Sequence, residues 1–157
     1  MTGRTSDPAA GERGGSAPLQ AFELRIDVTP DDLPEDRVNH HVNNARYFAF
    51  INRTFQRWYV LMGLRGQHPT FSVAMAHCSY DFLRQVGYPG TVLCRLNVVK
   101  AGRTTLEHAI EMWDVSGAEP QLAGRGRVVH VGVDRSSGKP TPWPVEVLAL
   151  CWAASGC

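Results

Sequence analysis

Lysine is almost missing from this chain: Lys100 and Lys139 are the only two, and arginine carries the rest of the positive charge. Basic and acidic residues nearly cancel, 16 against 15, for a formal net charge of +1. Such a balance gives no general attraction to nucleic acid or to an anionic membrane, so neither is expected as a partner. No apolar run approaches the roughly 20 residues that a membrane-spanning helix needs. The arginines near the start are not followed by an apolar segment, so no secretory signal is expected there. Cysteine is sparse. Cys78, Cys94, Cys151 and Cys157 show neither a C-x-x-C spacing nor histidines at zinc-like intervals. They read as small buried hydrophobes plus a terminal thiol, which fits a reducing cytoplasm, and no metal or redox cofactor is expected.

What is present is a chain of 157 residues, 43% hydrophobic and 20% charged, enough for one domain with a sizeable core. Residues 1–19 are rich in Gly, Ser, Ala and Pro without periodicity, and read as a disordered tail. Residues 20–152 read as the folded domain, and 153–157 as a second short tail. Strict alternation over Phe22–Val28 predicts a strand with one buried face. A loop with Pro30 and Pro34 leads to a polar cluster, Asn39-His40-His41-Val42-Asn43-Asn44, and then to one long helix. In that helix Phe48, Ile51, Phe55, Trp58 and Met62 recur at three- and four-residue steps. Tyr47, Phe50, Val60 and Leu61 widen the stripe until the helix reads as swallowed by the fold. Asn43 or Asn44 caps its start, and Gly63 and Gly66 end it.

Beyond the helix, strands are predicted at Phe71–Leu83, Thr91–Val99, Thr104–Trp113 and Leu122–Val133. Phe71, Val73 and Met75 are expected on one face of the first of these, with Ala74, Ala76, Cys78, Tyr80 and Phe82 on the other. Gly124, Gly126 and Gly132 suggest bulges or close backbone approach. Val145–Trp152 is short, apolar and helix-compatible, a closing element. Strand, long helix, then four strands is an α+β layout with an antiparallel sheet and its helix on one face. About five strands wrapped around one central helix make the hotdog arrangement.

The polar cluster holds the candidate chemistry. A helix start presents unpaired N–H groups and a positive dipole end, which favour a polarised carbonyl oxygen. His41 is the leading general base, because imidazole titrates near neutrality. Asn39 is placed to orient a water or hold the carbonyl oxygen. Arg46 lies in the first turn, against the dipole, and needs either an acidic partner or a ligand phosphate. Cys78 has no evident activating partner. His77 and His108 alternate within strands and read as satisfied structural histidines.

His41-Val42-Asn43-Asn44-Ala45-Arg46-Tyr47, set between a first strand and a long helix, resembles the H-V-N-N-x-x-Y signature of hotdog acyl thioesterases of the 4-hydroxybenzoyl-CoA thioesterase-like group. Tyr80 to Arg84 with Gly87 to Gly90, Ala123 to Gly126, Val131 to Asp134 and Gly138 to Pro142 are similar to later strands and turns of that group, so the resemblance spans roughly residues 20–145. It implies hydrolysis of an acyl-CoA or of a carrier-protein-bound acyl or polyketide chain, with CoA or phosphopantetheine arriving as part of the substrate. It also implies a homodimer or a dimer of dimers. Asn43, Asn44, Arg37, Tyr47, Phe48, Phe55 and Tyr80 are the substrate-binding candidates. The sequence departs from the group where an Asp commonly precedes the motif His by four residues; Arg37 stands there, with Glu35 and Asp36 beside it, so the resemblance implies Asp36 as the competing base if the loop carries a one-residue shift. Ala49 to Arg57 holds no carboxylate either. Asn39-His40-His41 also fits the N-x-H-V-N-N pattern of plant acyl-carrier-protein thioesterases, but their later Cys is replaced by the turn Gln85-Val86-Gly87. The missing carboxylate leaves a second reading open, a non-catalytic or cyclisation-assisting hotdog that only binds an acyl chain. A hotdog dehydratase is disfavoured, since that group's Asp/His signature is not found.

Overall fold

Alternation at period two and one long helical stripe dictate the layout of the computed structural model, which describes residues 21–35, 38–64 and 68–153. The expected tail over 1–19 lies outside the described residues, as do Gly66 and 154–157, whereas Ala153, expected to open the second tail, ends the last helix. The elements run β1 (Phe22–Asp27), a 3-10 turn (Pro30–Asp32), α1 (Asn44–Leu61), β2 (Phe71–Phe82), β3 (Thr91–Ala101), β4 (Thr105–Asp114), β5 (Gln121–Asp134) and α2 (Val145–Ala153). The five strands form one antiparallel sheet in the order β1-β3-β4-β5-β2, with α1 packed on one face. This is the expected hotdog α+β fold.

α1 buries Tyr47, Phe50, Ile51, Thr54, Phe55 and Trp58. Those positions step by three and one, which keeps a single stripe against the sheet. The helix is therefore not swallowed: Phe48 is 44% exposed, Val60 47% and Leu61 63%. Each residue turns about 100° around the axis, so Phe48 falls off the stripe that Tyr47 begins. The buried Thr54 hydroxyl donates to the Phe50 carbonyl at 2.8 Å and is itself satisfied within the stripe. Gly63, at φ +69°, turns the chain in the left-handed region that glycine tolerates, and the Leu64 N–H then reaches the Tyr59 carbonyl at 2.9 Å.

The face facing α1 is built from Ile26, Val92, Cys94, Leu96, Leu106, Ile110, Met112 and Val128, all within 2% of full burial. Burying such side chains contributes about 1.5–3 kcal/mol each. β2 departs from its expected two-face division. Met75 pairs with His130 and His77 with Val129, so Ala76 is an extra residue, a β-bulge. One inserted residue exchanges the faces, and Phe71 and Val73 share the helix-facing side with Cys78 and Tyr80. The glycines of β5 do lie at close approaches. A Cβ at Gly126 would come to 2.1 Å of the Ser79 carbonyl oxygen, and one at Gly124 to 2.3 Å of the Tyr80 hydroxyl. At the far end Trp143 donates its indole N–H to the Thr104 carbonyl at 3.1 Å and packs on Phe71, while Val147 and Cys151 bury the inner side of α2.

Candidate active site

The segment before α1 is held by its backbone. The Val42 N–H donates to the Val86 carbonyl at 2.9 Å and the Tyr88 N–H to the His40 carbonyl at 2.9 Å, with His41 bridged to Gly87. The Tyr47 hydroxyl accepts from the Val86 N–H at 3.2 Å. The turn after β2 is thus fastened to both the polar cluster and the first turn of α1.

Asn43 is the N-cap: its side-chain oxygen accepts from the Ala45 N–H at 3.0 Å, and its carbonyl from the Arg46 N–H at 2.9 Å. Its own N–H donates to the Asp32 carbonyl at 2.8 Å. That leaves the Asn44 N–H with no partner among the described residues, at the positive end of the helix dipole. Asn44 does not cap. It lines a cleft of about 240 Å³ together with Tyr47, Phe82, Leu83, Arg84 and Gln85. Tyr47 stacks on Tyr80 at 5.5 Å and meets Phe82 edge-on at 5.4 Å, so the cleft has an aromatic wall. Burial, outweighing the N–H of Val86, holds the Tyr47 phenol protonated above its ordinary range.

The candidates named from sequence fall into separate groups. Asn44 and Tyr47 line the cleft, Tyr80 backs it from a buried position, and Asn43 caps the helix beneath it. His41 and Asn39 are not among its lining residues: His41, bridged to Gly87, is half-buried, Asn39 is exposed, and neither side chain is hydrogen-bonded to a described residue. Phe48 is an exposed residue off the buried stripe, and Phe55 is core, 1% exposed, with ring contacts at 5.0 Å to His108 and 4.4 Å to His130. Asp36 and Arg37 lie outside the described residues.

Sequence reasoning missed Asp32. Its carboxylate, 6% exposed, accepts from the Thr29 N–H at 2.8 Å, the Thr29 hydroxyl at 2.9 Å and Arg46 Nε at 2.9 Å. Burial alone would raise its pKa, but the Thr29 and Arg46 donors together hold it below the ordinary carboxylate range. Arg46 therefore takes the acidic partner that its place in the first turn called for. With three donors already on it, Asp32 organises the helix start. The signal that could have found it is Thr29-Pro30-Asp31-Asp32, a capping-box spacing. Arg84 and Gln85, on the cleft wall, were also missed, because that turn was weighed only for a cysteine.

His108 corrects another expectation, together with His130, on which the sequence analysis was silent. They lie inside the fold, 0% and 3% exposed, with ring centroids 5.4 Å apart between Phe55, Trp58 and Tyr59. Among the described residues neither nitrogen of His108 has an aligned hydrogen-bond partner, nor do His130 Nδ1 and the Tyr59 hydroxyl. They are structural but not satisfied. Burial keeps both imidazoles neutral, lowering His108 to about 3, helped by the neighbouring His130, and His130 to about 4. His77 is exposed on β2. Burial raises the Cys78 thiol, which disfavours a nucleophilic thiolate. Among the described residues no three His, Cys, Asp or Glu side chains converge where a metal ion could bind.

The profile of the thioesterase-like superfamily matches residues 26–150. Solved structures with the same fold include the PA5185 protein of Pseudomonas aeruginosa, 23% identical over 85% of this chain and 91% of that one, with a TM-score of 0.75. A 1,4-dihydroxy-2-naphthoyl-CoA thioesterase from Synechocystis is 18% identical over 83% and 95%, with a TM-score of 0.72. A mutant 4-hydroxybenzoyl CoA thioesterase complexed with 4-hydroxybenzoyl CoA is 12% identical over 84% and 99%, at 0.73. Among curated proteins nothing matches this chain.

Proposed function

The chain belongs to the thioesterase-like superfamily, and from that premise we propose that it hydrolyses acyl thioesters at the cleft over the start of α1. The observation that carries this reading is the unpartnered Asn44 N–H, fixed by the Asn43 cap and the Asp32–Arg46 pair beside an aromatic wall. A thioester carbonyl oxygen accepting from that amide gains most as it becomes an oxyanion. His41, with Asn39 to orient the water, takes a proton as the water oxygen bonds to the carbonyl carbon. Collapse of the tetrahedral intermediate breaks the C–S bond, and the thiolate recovers the proton from the imidazolium. Asp36 is the competing base.

The donor is an acyl-CoA or an acyl chain on a carrier protein, and Arg84 on the cleft wall, with Arg37 in the loop before the motif, is suited to its phosphates. Flat side chains at the wall favour aryl, short or medium acyl, or aromatic polyketide groups over long flexible ones. The protein works in the cytoplasm as a homodimer, or a dimer of dimers, joined through the exposed edge of β2, whose 12 residues offer a long unpaired ladder. A second reading, an acyl-binding or cyclisation-assisting protein, is favoured by one observation: nothing described orients the His41 imidazole. Release of free thiol from a panel of acyl-CoA esters separates the two. Turnover abolished by His41→Ala supports hydrolysis, and binding without thiol release supports the second reading.

A further inference from the structure

The polar segment before α1 and the turn after β2 form a short antiparallel ribbon, and its register sets Gln85 beside His41. His41 is bridged to Gly87, and two backbone hydrogen bonds of 2.9 Å, Val42 N–H to Val86 and Tyr88 N–H to His40, hold that bridge from both sides. One step further along the same register, Asn43 falls opposite Gln85. Val42 and Val86 turn inward, 1% and 0% exposed. Alternation therefore puts His41, Asn43 and Gln85 on the other side of the ribbon. Gln85 is the diagonal neighbour of His41, a spacing that long side chains still bridge. Gly87, directly opposite His41, has no side chain to separate them.

Gln85 lines the cleft with Asn44, whereas His41 does not. The Gln85 side-chain amide is exposed and hydrogen-bonded to no described residue. The turn that carries it is fixed: the Val86 N–H is held by the Tyr47 hydroxyl at 3.2 Å and the Val86 carbonyl by Val42 at 2.9 Å. A water that attacks a carbonyl carbon needs both its protons held, so that a lone pair is aimed at the carbon. His41 accounts for one proton, and the second needs an acceptor on the cleft wall. Side-chain oxygens on that wall belong to Asn44, Tyr47 and Gln85. The Tyr47 oxygen already accepts from the Val86 N–H. Of the two amides, Gln85 is the one on the ribbon face that His41 shares.

We propose that Gln85 is a further catalytic residue, which holds the attacking water between its side-chain oxygen and the His41 imidazole. This rests on the hydrolytic reading above. The water donates one proton to His41 and hydrogen-bonds the other to Gln85 Oε1. As the water oxygen bonds to the carbonyl carbon held at the Asn44 N–H, the first proton passes to His41 and then to the departing thiolate. The second stays on the new hydroxyl and leaves with the carboxylic acid, so Gln85 gains and loses no proton. The water's remaining lone pair is left for the Asn39 amide. The hydrogen bonds that fasten the turn to the polar segment keep the two holders of the water at a fixed separation.

Thiol release by the full chain from benzoyl-, naphthoyl- and hexanoyl-CoA, and from the matching pantetheine esters, tests this. Gln85→Met, of similar length but without the amide, should lower kcat by about 10–100-fold with KM within about twofold, because the water and not the substrate has lost a contact. Gln85→Glu restores an acceptor oxygen at the same reach and should recover most of the kcat that the Met variant loses. If Gln85 instead donated to the acyl oxygen, the Glu variant would be the slower of the two, and that order would overturn the proposal. Gln85→Met combined with His41→Ala should lower kcat no further than His41→Ala alone, since both side chains hold one water. Multiplied losses in the double variant would overturn the proposal, as would a loss carried by KM alone or a Gln85→Met variant as fast as the unaltered chain. Those results leave hydrolysis itself standing, whereas no thiol release from any of these esters by the unaltered chain would overturn both readings together.

Discussion

At the scale of single residues, three groups decide how the site and the core behave. If His41 is the base and Asn39 its partner, His41→Ala and Asn39→Ala should each lower turnover by about 10²–10⁴-fold with unchanged thermal stability. Asp36→Asn should act mainly on binding. Loss of turnover in Asp36→Asn, with His41→Ala still active, would reassign the base to the carboxylate. Asp32 acts differently, by holding the helix start. Asp32→Ala removes a charged acceptor from Thr29 and Arg46, so it should cost about 1.5–3 kcal/mol in a urea melt. The buried histidines set the response to acid. Both are neutral in the fold, and both ionise in the unfolded chain near 6.5, so unfolding takes up two protons between that value and about 4. Their stabilisation is complete above 6.5 and is lost as pH falls. Two protons correspond to a slope of up to about 2.7 kcal/mol per pH unit. Denaturant melts between pH 7 and 5 should show stability declining, and His130→Phe should flatten the decline; a pH-independent stability would contradict the buried pair.

At the scale of elements, β2 and β5 carry the constraint. The close approach of Gly126 to the Ser79 carbonyl leaves no room for a side chain, and the neighbouring group is backbone, which cannot swing away. Gly126→Ala should therefore destabilise by about 1–3 kcal/mol or more, whereas Gly117→Ala, with nothing within 4 Å of the new methyl, should be nearly neutral in the same thermal melt. An equal effect of the two would mean that β2 and β5 separate easily. The bulge at Ala76 belongs to this scale too. It places Phe71 and Tyr80 on one face, and so lets β2 cover both the Trp143 end of the core and the cleft end beneath Tyr47.

For the whole molecule, the cleft predicts the substrate. Its wall is Tyr47 and Phe82, backed by Tyr80, and the interior behind it is filled by Phe50, Ile51 and Ile110. On the proposed reading, flat side chains of this kind suit the stacking of a planar acyl group better than contact with a long flexible chain. The ratio kcat/KM for naphthoyl-CoA should exceed that for palmitoyl-CoA at least tenfold, about 1.4 kcal/mol in transition-state binding. The reverse preference by the same factor would place the acyl group elsewhere in the fold.

The sequence by itself determined everything that repeats at a short period or sits within a few residues. The alternation of the strands and the three-and-four spacing of α1 made the hotdog layout legible, and the His41–Tyr47 block pointed to a candidate site at the helix start, because each is a local pattern that the backbone geometry converts directly into an element. What only the tertiary structure decided joins residues far apart in the chain. The partner of Arg46 is Asp32, 14 residues earlier, and the partner of the Tyr47 hydroxyl is the Val86 N–H, 39 residues later. The faces of β2 changed sides at Ala76 because a bulge answers to the register of the neighbouring strand and leaves no mark on the alternation before it. Phe48 looked like core because hydrophobicity alone does not say where a stripe ends; the sheet is only wide enough to cover the side of α1 that Tyr47, Ile51 and Trp58 share. His108 and His130 stand diagonally across β4 and β5, opposite Val128 and Leu106, and only that long-range register brings their rings to 5.4 Å.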